Sequence, residues 1–153
     1  MIRIQSVHGT ALARDRDRVE QVQVIFRRNY PDEGEYAEKI PDLLEYPFRQ
    51  GYRTVLLVAE ASHAKVTGFA LVLLFPEINS ALLDFVVAEK DGRGGGLGSA
   101  LYEAAREYCR RVGSRGLYME VLSDDPALNR DPQSLKANRR RMAFYERFGV
   151  RPI

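Results

Sequence analysis

The sequence predicts one α/β domain built around a mixed sheet, and three observations carry that reading. Short β-rich runs alternate with amphipathic helical stretches in the order β-α-α-β-β-β-α-β-α-β. No internal repeat or low-complexity linker interrupts them. At 153 residues, 45% hydrophobic and 29% charged, the chain has the length and composition of a single globular domain over residues 1–153.

The elements follow in order. Ile2 to Val7 alternates apolar and polar residues and reads as a short strand, broken by His8-Gly9-Thr10. From Arg14 to Arg28 the apolar residues Val19, Val22 and Phe26 recur at helical spacing, behind a charged run at 14–18 that reads as a solvated helix start. Pro31 ends that helix. A second helical region spans about Glu33 to Gln50, and Pro41 and Pro47 are expected to break it into two short helices or a helix and a turn. Tyr52 to Ala61 and Val66 to Phe75 are apolar, β-rich runs joined by the polar turn Ser62 to Lys65, a hairpin. Ala81 to Ala88 is a third such run, and its near-continuous apolarity, like that of 66–75, implies burial on both faces.

A glycine cluster comes next, then a helix from about Leu97 to Val112. Its core face is expected at Leu97, Leu101, Ala104, Tyr108 and Val112, with Gly113 as the stop. Leu117 to Leu122 reads as a strand and Ser123 to Gln133 as a long polar loop. Ser134 to Phe148 is a final helix closed by Gly149, and Val150 to Ile153 begins an extended segment.

Composition excludes several classes. A net charge of +2 carries no nucleic-acid signal. The single cysteine, Cys109, rules out an intrachain disulfide framework and suits a reducing compartment. The N-terminus has no apolar signal core, and no stretch approaches the length of a membrane span. A cytoplasmic protein that engages neither nucleic acid nor membrane is expected. Two histidines and one cysteine in no spaced cluster give no metal site. Cys109, with no matching His–Asp constellation, reads as a packed or surface thiol rather than a nucleophile.

The glycine cluster carries the chemistry. A strand, a glycine-rich turn and a helix N-terminus form a ready anion site, because orphan backbone N–H groups point outward there and the helix dipole adds favourable potential. Glycines let that backbone approach phosphate oxygens closely, and Arg93 can add a charge-assisted contact. Two familiar phosphate loops are excluded by spacing. A phosphate-binding NTPase loop needs Gly-Lys-Ser/Thr at its end, whereas Ser99-Ala100 follows Gly98 with no lysine. A dinucleotide fingerprint needs Gly-x-Gly-x-x-Gly, but counting from Gly94 or Gly96 the last position is Ser99 or Leu101.

The pattern that matches is Arg/Gln-x-x-Gly-x-Gly/Ala, written here Arg93-Gly94-Gly95-Gly96-Leu97-Gly98. It resembles the acetyl-CoA loop of the GNAT superfamily of N-acyltransferases. Upstream, Leu82-Leu83-Asp84-Phe85-Val86-Val87 resembles the family's fourth strand. Downstream, Asn138 and Phe144-Tyr145-Glu146-Arg147-Phe148-Gly149 resemble its last helix. The resemblance covers nearly the whole chain, most strongly residues 81–150. It implies a mostly antiparallel sheet flanked by helices. Two departures stand out. The stretch from Val87 to Arg93 is one residue longer than the family's usual spacing, an extra residue that Asp91-Gly92 would absorb. The family fold also ends in two further strands, so the chain is expected to be a fragment of a longer protein or to have its sheet completed otherwise.

The resemblance implies acetyl-CoA as co-substrate, with no metal. Backbone groups of Phe85, Val86 and Val87 would bond the pantetheine arm, and one N–H there would polarise the thioester carbonyl. Arg93, Gly94, Gly95, Gly96, Leu97, Gly98 and Ser99 would hold the pyrophosphate, and Asn138 would contact the arm. Tyr145 stands where the family places its general acid, to protonate the departing thiolate. Glu120 and Asp84 are candidate bases, because a carboxylate inside an apolar strand is costly unless paired or functional. The competing reading of each is an ion-paired structural carboxylate, with Arg139-Arg140-Arg141 as partners, although a solvated helix face suits that triplet as well. The function implied is acetyl transfer to a primary amine by direct attack. The alternatives are a non-catalytic acyl-CoA-binding regulatory module and an unrelated nucleotide-binding domain.

The acceptor, a small-molecule or peptide amine, should meet the region 29–50 and the loop 123–134. The first carries Tyr30, Asp32, Glu33, Glu35, Tyr36, Glu38, Asp42, Glu45 and Tyr46, and the second Asp124, Asp125 and Asp131. Acidic and aromatic groups favour a cationic amine such as a polyamine, an aminoglycoside or a lysine side chain. A homodimer is left open.

Overall fold

A computed structural model describes residues 1–89 and 96–153. The chain divides into two compact units, Met1–Tyr118 and Met119–Ile153. In the first, strand β1 (Arg3–Val7) leads to helix α1 (Ala13–Asn29), a single 3-10 turn at Pro31–Glu33, and helix α2 (Gly34–Glu45). Strands β2 (Arg53–Glu60), β3 (Val66–Phe75) and β4 (Ser80–Ala88) follow, then helix α3 (Leu97–Arg111) and the short strand β5 (Leu117–Met119). Helix α4 (Pro132–Glu146) belongs to the second unit. The sheet order is β1-β2-β3-β4-β5, and the first four strands pair antiparallel in sequence. This is the mixed, mostly antiparallel, helix-flanked architecture that the sequence predicts.

Alternation along the strands divides the core between two faces. Leu56, Val58, Phe69, Leu71 and Val87 pack with Val19, Val22, Ile25 and Phe26 of α1 and with Ala37, Ile40 and Leu44 of α2. The intervening residues Val55, Leu57, Ala70 and Val72 are buried as well, so β2 and β3 are covered on both sides. Helix α3 packs against β2, β3 and β4.

Three local expectations are corrected. Pro41 does not break the second helix, which runs unbroken from Gly34 to Glu45. A proline there removes the bond that the Ala37 carbonyl would accept. Gln23 of α1 supplies the missing donor, with its Nε2 2.9 Å from the Ala37 oxygen. The core face of α3 is Leu97, Leu101, Tyr102, Ala105 and Cys109, whereas Val112 is 47% exposed. The helix is therefore turned by part of a residue step from the expected stripe. Strand β5 stops at Met119 instead of Leu122, so Glu120 lies beyond it and is exposed.

The helix ends follow the sequence closely. Gly113 takes a left-handed φ of 77°, and its N–H and that of Ser114 bond back to Arg110 and Cys109. Gly149 does the same for α4, where Val150 N–H bonds to the Tyr145 carbonyl. At the start of α4 the Asp131 carboxylate accepts from the Ser134 N–H at 3.1 Å, with Pro132 in the first turn. Among the described residues, 150–153 form no regular element, and no helix is long and apolar enough to cross a membrane.

Candidate functional site

Two elements of the first unit build the candidate site: the end of β4 and the start of α3. Gly96 precedes α3 with φ 71°, a left-handed conformation that glycine adopts without a Cβ penalty. Its carbonyl accepts the first helical bond, from Ala100 N–H at 2.9 Å. Among the described residues, no side-chain cap bond is made at this end. The amides of Leu97, Gly98 and Ser99 thus lie in the turn where helical N–H groups lack intrahelical partners and the dipole favours an anion. Arg93, Gly94 and Gly95, the remainder of the predicted loop, lie outside the described residues.

Gly68 sets how close these elements come. It stands in β3 opposite Ala88. A Cβ built there would lie 2.6 Å from the Val87 carbonyl oxygen and 3.1 Å from a methyl of Leu101. Only glycine lets the end of β4 and the Leu101 side of α3 both approach β3 this closely. The strand then continues past Ala88, as Glu89 N–H bonds to the Thr67 carbonyl at 2.8 Å. The Glu89 carboxylate pairs with Arg28 at the end of α1, also at 2.8 Å. At the other end of β4, Ala81 N–H bonds to the Gly116 carbonyl and Arg115 N–H to that of Asn79, which joins β4 to the approach of β5.

Within β4 the ladder slips by one residue. Phe85 pairs with Leu71 and Leu83 with Val72, leaving Asp84 as the extra residue of a bulge. The slip turns Asp84 and Phe85 toward the same helix. The Tyr36 hydroxyl of α2 donates to Asp84 Oδ2 at 2.6 Å, and the Tyr36 ring meets Phe85 edge-on at 5.0 Å. Tyr30 and Phe26 complete an aromatic cluster around Phe85, with ring centroids at 5.0 and 4.8 Å. Burial, followed by the bond to Asp84, pushes the Tyr36 phenol well above the ordinary tyrosine range. Both Tyr36 and Asp84 keep some solvent exposure.

The structure thus brings Asp84, Phe85, Val86 and Val87 together on one strand, next to the helix that Gly96, Leu97, Gly98 and Ser99 open. In the second unit, Asn138 is buried and its Nδ2 donates to the Ser123 carbonyl at 2.8 Å, which ties α4 to the loop before it. Tyr145 is half-buried on α4, with its ring 5.1 Å from that of Phe144. Cys109 is buried beneath α3, and burial pushes its thiol up to about 11, so it is held as an unreactive thiol.

Sequence reasoning named Tyr36 only as one of many acceptor-side aromatics and did not pair it with Asp84. It passed over Gly68. A glycine inside the run Val66-Thr67-Gly68-Phe69-Ala70 was the available signal, since glycine within a strand marks a close backbone approach.

The fold has close counterparts among solved structures. A Pyrococcus furiosus protein assigned as an acetyl transferase aligns with a TM-score of 0.65 at 20% identity, over 99% of this chain and 95% of its own. An aminoglycoside N-acetyltransferase, AAC(6')-Iy, determined in complex with CoA, aligns with a TM-score of 0.61 at 13% identity, over 94% and 86%. An aminoglycoside acetyltransferase from an uncultured soil metagenomic sample, in complex with sisomicin, gives 0.60 at 16% identity, over 87% and 86%. At such identities these likenesses speak for the fold alone. A search of curated protein sequences finds no match. The sequence model of the Acetyltransferase (GNAT) family matches residues 19–130, well over half of the chain. With that match, and with the bulged β4 leading to a glycine-opened α3, the chain belongs to the acetyltransferase (GNAT) family.

Proposed function

We propose that this protein transfers an acetyl group from acetyl-CoA to a primary amine by direct attack on the thioester. The observation that carries the reading is the juxtaposition of a bulged β4, bearing Asp84, with the Gly96-opened N-terminus of α3. The residues present suit coenzyme A. The α3 amides and Arg93 offer donors for a pyrophosphate, and the backbone of Phe85, Val86 and Val87 offers a strand edge for an extended pantetheine arm. When bound, acetyl-CoA supplies the activated acyl group. The chain's own tasks are then to hold it, polarise its carbonyl with a β4 N–H, take a proton from the amine and return one to the thiolate. Asp84 is the preferred proton acceptor, because it stands on β4 among aromatic side chains, whereas Glu120 lies exposed beyond β5. Tyr145 is assigned the proton donor role, and Asn138 a contact to the arm.

The acidic and aromatic residues around α2, including Tyr30, Glu33, Tyr36 and Asp42, support a cationic small-molecule or peptide amine as acceptor. A cytoplasmic setting suits the single buried thiol, and neither nucleic acid nor membrane enters the reading. Thermal shift with coenzyme A, measured against ATP and NAD, tests the first half: stabilisation by coenzyme A alone is expected, and its absence sinks the reading. Thiol release from acetyl-CoA with a panel of amines tests the second half, where polycations should outperform neutral amines and amino acids. Tyr145→Phe should lose turnover while keeping coenzyme A binding. Full turnover would remove Tyr145 as the acid.

A further inference from the structure

Tyr36 is fixed more firmly than a substrate-facing aromatic needs to be. Its ring stacks on Phe26 at 5.4 Å with a 10° interplanar angle, and Phe85 closes it edge-on at 66°. Phe26 is fully buried, so this clamp is anchored in the core. The hydroxyl that the clamp presents lies 2.6 Å from Asp84 Oδ2. Among the described residues, the charged or titratable groups acting on Tyr36 are Asp84 from β4, Tyr52 before β2, and Glu33 from the turn before α2. Each of them raises the phenol, so Tyr36 stays protonated and acts as a donor at any working pH. The β4 bulge matters equally. In an unbroken ladder Asp84 and Phe85 would point to opposite faces, and the slip at Leu71/Val72 brings both to Tyr36.

We propose that Tyr36 is a positioning residue that acts through Asp84: clamped by Phe26 and Phe85, its hydroxyl holds the bulge carboxylate in the orientation that receives the proton of the attacking amine. The proposal rests on the reading of the chain as an N-acyltransferase. In the step it serves, the amine nitrogen forms the bond to the acyl carbon and the carbon–sulfur bond breaks. The amine's proton passes to Asp84, directly or through water, and the thiolate takes a proton from the Tyr145 hydroxyl, which solvent restores. A donor fixed on one carboxylate oxygen favours the ionised form and limits rotation of the group.

The test joins a titration to a kinetic cycle on the full chain. Carbon-13 NMR of protein labelled at aspartate carboxyls, with the Asp84 signal assigned by its loss in Asp84→Asn, follows protonation without any need for turnover. The Asp84 midpoint should move to higher pH in Tyr36→Phe, which keeps the ring and its packing. With the best amine of the panel, Tyr36→Phe should lower kcat about ten-fold, within the span of a proton-transfer contribution, and leave KM for acetyl-CoA unchanged. In an Asp84→Asn background the same substitution should cost nothing further. An unchanged midpoint, or an equal loss in both backgrounds, overturns the proposal. If coenzyme A gives no thermal stabilisation, or no amine releases thiol, the acyltransferase reading falls and this proposal with it. If both succeed while the midpoint stays fixed, this proposal alone falls.

Discussion

Glu60 and Asp84 are both carboxylates set in apolar strands of one sheet, each beside a slip in the ladder, yet the described hydrogen-bond donors to them differ in charge. Glu60, at the end of β2, is 6% exposed and lies against Arg18 at 2.8 Å and Arg14 at 3.0 Å. Arg18 is itself buried and also holds Asp15 at 2.8 Å and the Gln5 amide oxygen at 3.2 Å. Asp84 keeps more exposure and receives its bond from Tyr36, a neutral phenol among aromatic rings. A carboxylate closed by guanidiniums has its charge balanced and its lone pairs occupied, so it holds α1 to the sheet. Asp84 instead accepts from the Tyr36 hydroxyl, a donor that steadies its orientation without itself supplying a positive charge. The same residue class thus meets buried guanidiniums on β2 and a phenol on β4, and the roles proposed for the two, stability for Glu60 and proton transfer for Asp84, follow that difference.

The sharpest way to break this comparison is to neutralise Asp84. Asp84→Asn keeps the shape and the bond from Tyr36 but removes the proton acceptor. A fall in kcat of about 10²–10⁴-fold is expected, with the urea midpoint barely moved. Equal loss of folding and turnover would make Asp84 a second structural carboxylate.

The converse substitution is Arg18→Met. It removes a cation from a buried pair and leaves Glu60 undercompensated, which should cost about 3–5 kcal/mol in urea denaturation. The folded fraction should retain the wild-type kcat, because among the described residues the Glu60 network of Arg14, Arg18, Asp15 and Gln5 bonds within α1, β1 and β2 rather than to β4. A stable Arg18→Met protein would mean that the pair is dispensable.

Gly68→Ala probes the ground beneath the site rather than its charges. The added methyl meets the Val87 carbonyl at 2.6 Å, which is backbone and cannot swing aside. Overpacking of this kind typically costs about 1–3 kcal/mol, and here it must push the Val87 end of β4 and the Leu101 side of α3 away from β3. The KM for acetyl-CoA should therefore rise more than kcat falls. A change confined to kcat would separate the α3 seat from cofactor binding.

What the sequence could and could not disclose follows from the range of the forces involved. Strand β3 spans Val66–Phe75, as its near-continuous apolar run predicts, and Gly113 and Gly149 end helices where expected, because hydrophobic burial and left-handed φ are written locally. Pro41 misleads because its remedy, Gln23, sits on another helix. The core face of α3 was misjudged for a related reason: Ala104 and Ala105 are equivalent in sequence, and only the sheet beneath selects Ala105. The Gly96 opening of α3 was legible as part of a glycine motif, and Asp84 as an anomaly in an apolar strand. That the bulge aims Asp84 at Tyr36 was not legible, since a one-residue slip in register leaves no mark in the sequence.

Acid should separate the two carboxylates by the smallest effect of the set. The bond from Arg18 holds the Glu60 carboxyl below its ordinary value of 4.5, burial opposes this, and the Arg14 bond adds to it. A lowered folded value means that the unfolded chain takes up the proton first as pH falls. The stabilisation from Glu60 is therefore complete above pH 4.5 and is lost as pH drops through the folded value. Measured as the difference in unfolding free energy between wild type and Glu60→Gln, it should be constant near neutrality and shrink below that point. The same difference taken with Arg18→Met as the parent should grow or reverse in acid, because an undercompensated buried carboxylate gains from protonation. Identical acid slopes in both parents would show that Arg18 does not set the charge of Glu60, and the contrast with Asp84 would then have to rest on geometry alone.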